Sequence, residues 1–556
     1  MQFRIVLVLI LLALLCNSAS GQTISGELSD NAVKLFDQAY DKTIKLIASA
    51  WFDKSDVLNK HEDANRTLIY NEGESVIAVN GKGVKIASGT SGTDDATVIQ
   101  AAIDDASSGD TIVFMGSFLV PTTINLDKSL TLDGNGSTLA YMGSSGSTML
   151  RSEGVLIKTT TLAIDAIQYS NEIAIANTSG IEVGDLALVY DNVEWGPNYY
   201  PGWKTGELHE VVSIVPNTKI TVNDHLLHRY DTIDSAKLEI YRSIALTLKN
   251  INLIGKGRTY NQAAIDFEYH KNTRILNCRM SGFDNAAIQL YDCYNSLVFG
   301  NDIRDSLEDG IGYGVSIWNS AANTIIKDNY IANCRHCITS NGASHYGVTR
   351  NISIIGNTLI NGSNSVIDAH PAAESMYISN NIIESNGEPA VNSGAKITIV
   401  NDNLIHGMGI GFREEMTDVV FRVLNNTIIN GGEDTYLFNI GDSISTSTFE
   451  EIDIRNNTVS TNGSVGIELI PDITIEKLYI IGNRIVLGGS DGCNKTGIHI
   501  KHLKGVGEIS SNSFEITCAH GIACGIRIED SPGALKIKDN TISGSPTTYK
   551  VNETLI

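Results

Sequence analysis

From about residue 245 onward the sequence keeps repeating one phrase: a short β-branched run, an asparagine, one further residue, then an apolar residue. Ile275-Leu276-Asn277-Cys278-Arg279-Met280 is an example. The asparagines of the series are Asn277, Asn301, Asn329, Asn357, Asn381, Asn403, Asn426, Asn457, Asn483, Asn512 and Asn540, at steps of 22 to 31 residues. Self-similarity at such a period is the signature of a repeat architecture. The runs are rich in Val, Ile and Thr, alternate with period two and break at Gly, Asn and Asp, which marks them as strands. A coil that cannot bury its own inner face must stack on its neighbour. The expected fold is therefore all-β, a right-handed parallel β-helix solenoid of roughly 25-residue coils. One asparagine per coil is expected to bond its own turn and the asparagines above and below it, and to tolerate a left-handed bend.

Length supports the same reading, because 556 residues exceed one ordinary core and repetition is the simplest way to grow. Gly 51 against Pro 9 suits tight turns better than stiff linkers. The formal net charge of −23 excludes a general phosphate-backbone binder, since nucleic-acid affinity rests on Lys and Arg.

At the N-terminus Arg4 precedes the apolar run Ile5 to Leu15, and small residues follow to Gln22. Eleven apolar residues fall short of the ~20 needed to span a bilayer, so a signal peptide over 1–21 is expected, with no membrane span after its removal. The expected location is secreted or cell-surface. Seven cysteines follow: Cys278, Cys293, Cys334, Cys337, Cys493, Cys518 and Cys524. An odd count leaves at least one thiol unpaired, and the single C-x-x-C at Cys334 and Cys337 lacks the second pair of a zinc site. No calcium-loop spacing is present, so neither calcium nor another cofactor is indicated.

The organisation reads as an N-terminal helical segment over 22–75, the start of the solenoid with a capping helix over 76–144, an inserted β subdomain over 145–245, and repeats over 246–556. Phe36, Tyr40, Ile44, Ile47 and Trp51 fall at helical spacing within the first of these. Ala96 to Ala106 marks the capping helix. Trp195-Gly196-Pro197-Asn198-Tyr199-Tyr200-Pro201-Gly202-Trp203 reads as an exposed aromatic loop of the insertion, suited either to sugar faces or to local packing.

The order Asp94-Asp95-Ala96-Thr97-Val98-Ile99-Gln100-Ala101-Ala102-Ile103-Asp104, then Gly109-Asp110-Thr111-Ile112-Val113-Phe114, then Leu132-Asp133-Gly134-Asn135-Gly136, resembles the opening of the pectate-lyase-like superfamily. That superfamily includes rhamnogalacturonases, epimerases and phage tail depolymerases. The resemblance implies a helix that caps the N-terminal end of the solenoid, hiding an edge that would otherwise pair with other chains.

Stacked coils place equivalent residues about 4.8 Å apart, so distant sequence becomes a surface ladder. With Ile288, Val315, Ile338, Ile367 and Phe412 turned inward, the outward ladder reads Gln289, Ser316, Thr339, Asp368, Asn392 and Arg413. Two residues on it reads Tyr291, Trp318, Asn341, His370, Gly394 and Glu415, with Tyr313, Arg335 and His336 just before the middle coils. Lyase or epimerase chemistry on a uronate needs a cation for the carboxylate, a base for the neighbouring proton and an acid. Arg335 or Arg413 supplies the first, His336 or His370 the second and Tyr313 the third. Trp318, Tyr291, Asn341, Arg413 and Glu415 are expected to bind substrate. A glycoside hydrolase would instead need two carboxylates, for which Asp368 and Glu415 are available, about 10 Å apart by stacking. A glycan-binding surface or adhesion protein is the non-catalytic alternative. The expected partner in every case is a polysaccharide, and the oligomeric state is left open.

Ser365-Val366-Ile367-Asp368-Ala369-His370 is similar to the Y-G-F-D-P-H motif of mannuronan C5-epimerases, which also sits on a parallel β-helix. The resemblance implies catalytic roles for Asp368 and His370. Ser365 stands where that family has its tyrosine, which leaves the acid to Tyr313 or Tyr346.

Overall fold

The computed structural model describes residues 65–545, apart from 196–201, 308–309, 343–345, 413–415, 432–435, 441–446, 470–473, 489–494, 502, 518–522 and 530–532. The expected signal peptide, most of the N-terminal helical segment, and Arg413, Glu415, Cys493 and Cys518 lie outside the described residues. The 22–75 segment is already strand by Arg66–Glu72, which pairs in parallel with Thr111–Met115.

The chain is a β-solenoid of about 14 turns, with 61% of residues in strands and 3% in helix. Each coil contributes one strand to a 17-stranded sheet and others to a 25-stranded sheet. Alternation along the strands sends one side chain inward and the next outward. The inward residues, from Ile69 through Ile288, Val315, Ile338 and Ile367 to Ile526, make one continuous apolar core. The helix Asp95–Asp105 buries Val98, Ile99, Ala102 and Ile103 in that same core, as expected of a cap.

The asparagine series forms a buried ladder, with one correction. Asn357 Oδ1 accepts from both the backbone N–H and the side-chain amide of Asn329 (2.9 Å each), and the pattern repeats from Asn301 to Asn540. At the first rung, however, the residue that donates to Asn301 Oδ1 is Cys278, not Asn277. Asn277 instead adopts the left-handed conformation with φ 51°. Along the series that conformation belongs to the residue before the ladder, as at Gly300, Asp328, Gly356 and Asn380. The ladder asparagines are thus held by amide bonding, and the bend is delegated to a neighbour that tolerates it.

Between Val155 and Arg242 the chain leaves the solenoid for a six-stranded antiparallel sheet. Its core, including Ile173, Val189, Val211 and Leu238, is separate from that of the solenoid. Cys278, Cys293, Cys334 and Cys337 are buried free thiols, and Cys524 is buried too. No helix among the described residues is long and apolar enough to cross a membrane.

Candidate functional site

The sheet register puts the predicted residues on one face. Gln289, Ser316, Thr339, Asp368 and Asn392 are successive partners, and Tyr291, Trp318 and Asn341 run beside them. Tyr313 pairs with His336 at the start of the same strands, Tyr313–Trp318 and His336–Asn341. His370 directly follows the strand Ile367–Ala369 and its N–H donates to the carbonyl of Ser340.

Asp368 is the hub. Its Oδ2 lies 2.9 Å from His370 Nε2 and 3.8 Å from His336 Nε2, while Oδ1 accepts from Asn392 Nδ2 at 3.0 Å. Burial alone would raise this carboxyl, but the His370 hydrogen bond, the adjacent imidazoles and Asn392 outweigh it and bring it down to about 2. Asp368 is therefore a carboxylate at any ordinary pH. It accepts from His370 Nε2–H, which makes Nδ1 the basic nitrogen of the neutral ring.

His336 has the opposite arrangement. Its Nδ1 lies 2.6 Å from the carbonyl oxygen of Ser365, which only accepts, so Nδ1 carries the proton and Nε2 the lone pair. Nε2 is buried and has no hydrogen-bond partner among the described residues. Burial outweighs the pull of Asp368 and lowers the pKa of this imidazole, so it is neutral at neutral pH. Its contribution to Asp368 is accordingly the weaker one, and the direct bond from His370 dominates. His336 is only 1% exposed, which places it under the site, whereas the His370 side chain is 23% exposed.

Tyr313 stacks parallel on His336 with ring centroids 6.0 Å apart and meets Trp318 edge-on at 6.0 Å. Arg335 Nη1 approaches the Tyr313 hydroxyl at 3.5 Å. Burial raises the phenol pKa and Arg335 only partly offsets it, so Tyr313 holds its proton. Tyr291 stacks on Trp318 at 5.7 Å, giving the expected aromatic platform two to three coils from Asp368. Asn341 Oδ1 accepts from the Gly342 N–H.

Sequence reasoning missed the contribution of the insertion. Trp195 Nε1 donates to the carbonyl of Pro371 at 2.6 Å, and His228 Nε2 lies 3.2 Å from Glu374 Oε2. Trp195 also meets the His228 ring edge-on at 5.4 Å and lies under Lys396. Trp203 packs against Gly342, where an added Cβ would stand 3.1 Å from the indole. The two tryptophans that flank the aromatic stretch are thus packed onto the segments after Asn341 and His370, not exposed; the signal was the stretch itself, but not its target. Asn392 was legible as a rung, although not as the partner of Asp368. Further along the face, buried His499 lies 3.6 Å from the carboxylates of both Glu468 and Glu529.

No family model matches the chain, and no curated protein matches it. Solved structures do. The tailspike gp61 of Pseudomonas phage phi297 aligns over 78% of this chain and 68% of its own, with 14% identity and a TM-score of 0.50. The gp54 tailspike of Acinetobacter baumannii bacteriophage AP22, solved in complex with A. baumannii capsular saccharide, aligns over 82% and 74% with 14% identity and a TM-score of 0.52. The fold of this chain is the right-handed parallel β-helix that these tailspikes share.

Proposed function

We propose that this chain is a secreted or cell-surface enzyme that acts on a uronate-containing polysaccharide as a lyase or C5-epimerase. The observation that carries the reading is the Asp368–His370 contact, a buried carboxylate fixing one tautomer of a partly buried imidazole. His370 takes the proton beside the sugar carboxylate. Arg335 neutralises that carboxylate and the developing enolate. The Tyr313 phenol then protonates the leaving oxygen as the C–O bond breaks, giving an unsaturated uronate, or returns a proton to the opposite face. Beneath them, His336 and Asp368 position Tyr313 and His370 respectively.

Hydrolysis fits these groups less well. Asp368 is held ionised and committed to His370 and Asn392, which suits neither a general acid nor a nucleophile. The rungs on either side of it present Thr339 and Asn392. Carbohydrate as ligand is further supported by the shared fold of the AP22 tailspike and its bound capsular saccharide.

The test is a panel of uronate-containing and neutral polysaccharides, followed by absorbance at the unsaturated-uronate band and by mass analysis of the products. A new absorbing end group identifies a lyase, and an altered uronate without cleavage identifies an epimerase. A bound but unchanged sugar, or cleavage without unsaturation, refutes the reading in favour of binding alone or of hydrolysis.

A further inference from the structure

Four rungs before Asp368, the same face carries a differently charged patch. The strand Ala263–Glu268 buries Ile265 and Phe267 and turns Asp266 and Glu268 outward. Asp266 is in register with Gln289 and Glu268 with Tyr291, while Arg151 and Glu153 adjoin from the preceding coil. Four steps of about 4.8 Å separate the rung of Asp266 from that of Asp368 by about 19 Å. The Tyr291 and Trp318 platform lies between them.

Gln289 points to a ligand independently of the charge. It faces outward between Ile288 and Leu290, is only 6% exposed, and its side-chain amide makes no hydrogen bond to the described residues. The little exposure that remains reaches the amide, which leaves it open to a polar ligand in the groove. The carboxylates beside it are compensated only in part. Arg151, the cation that faces them, is already 3.8 Å from Glu153.

We propose that Asp266, Glu268 and Gln289 form a second sugar subsite, which takes a unit bearing hydroxyl groups but no carboxylate. This rests on reading the Asp368 end as a uronate site, and it deepens that reading: the polymer is mixed. Hydroxyls donate to the partly desolvated carboxylates, and Gln289 completes the set with one donor and one acceptor. A uronate at the same place would add a negative charge to a patch that already repels itself, a form of selection against the wrong unit. Burial, Asp292, Glu153 and Asp266 raise the Glu268 carboxyl to about 7, against the weaker pull of Arg151. Burial likewise raises Asp266. The groups facing Glu268 are thus Arg151 and Glu153 on one side, Asp266 on its own strand, and Tyr291 and Asp292 on the other. Exclusion of uronate therefore strengthens as pH rises through 7 and weakens below it.

The experiment is calorimetric titration of the full chain with two probes, a galacturonate hexamer and an N-acetylglucosamine hexamer in which one terminal unit is replaced by glucuronate. At pH 8 the parent is expected to prefer this mixed probe by about tenfold or more, and at pH 5.5 by less. Asp266→Asn with Glu268→Gln is expected to shrink the pH 8 preference about fivefold, mostly by strengthening binding of the galacturonate hexamer. Gln289→Met should weaken the mixed probe about fivefold with an unchanged melting temperature, since the amide has no partner to lose among the described residues. An unchanged preference in the double variant, or binding of neither probe by the parent, overturns the subsite. The measurement needs no turnover, so failure of the catalytic reading shows separately, as uronate polymers bound but left intact.

Discussion

His370 Nε2 stands 2.9 Å from Asp368 Oδ2, and the two side chains come from positions only two apart, at the end of one short strand. In an extended strand such residues face the same way. Here they do, and the other oxygen of the carboxylate is pinned by Asn392 from the next coil. The pair is therefore set by local sequence and locked by stacking.

Asp368→Asn is expected to keep the fold and lose the tautomer. The amide can donate to His370 Nε2 and so places the proton on the wrong nitrogen. Turnover should fall by about 10²- to 10⁴-fold with KM little changed. Steady-state kinetics on the polymer identified by the panel measure it, and a fall in KM-limited binding alone would contradict the role.

The same carboxyl makes a pH signature in stability. Its folded pKa of about 2 lies below the ordinary value, so its stabilisation is complete above about pH 4 and is lost as pH falls towards 2. Melting curves of the parent and Asp368→Asn should differ at pH 6 and converge near pH 2. A gap that stays constant over that interval would show that the carboxylate charge contributes nothing.

Asn381→Ala removes one rung of the ladder. Asn381 Oδ1 accepts from the N–H and the amide of Asn357, and its Nδ2 donates to the Ile354 carbonyl and to Asn403 Oδ1. Leaving these buried groups unsatisfied should cost about 3 kcal/mol or more, read from denaturant midpoints at constant slope. Asn277→Ala should cost less, because that residue lies off the ladder; its penalty is confined to the left-handed bend.

Trp195→Phe keeps most of the ring packing and deletes the bond to the Pro371 carbonyl. The segment that follows His370 should then exchange its amide hydrogens faster, and turnover should fall several-fold while the melting temperature changes little. Unaltered exchange between Ala372 and Glu374 would show that the insertion does not steady this segment.

The repeat made the solenoid legible because parallel stacking converts a sequence period directly into a contact. The outward order Gln289, Ser316, Thr339, Asp368, Asn392 is recovered rung by rung in the sheet register. Asn277 shows where that logic slips by one, since an Asn in a turn and an Asn in a ladder look alike until the backbone is seen. The site was legible in its members but not in their protonation: Ser365 fixes the tautomer of His336 through a carbonyl, which carries no side-chain signal. Asp266 and Glu268 escaped notice because their coil precedes the run of rungs used to find the cleft.

Sequence by itself determined the all-β solenoid, its inward and outward faces and the placing of Tyr313 and His336, and of Tyr291 and Trp318, on neighbouring coils. Each of these follows from period two along a strand and one coil per repeat. Only the tertiary structure decided which imidazole reaches the surface, and that Trp195 bonds a carbonyl 176 residues away. The physical reason is that the insertion interrupts the period, so nothing in the spacing of its residues encodes where on the solenoid its antiparallel sheet comes to rest.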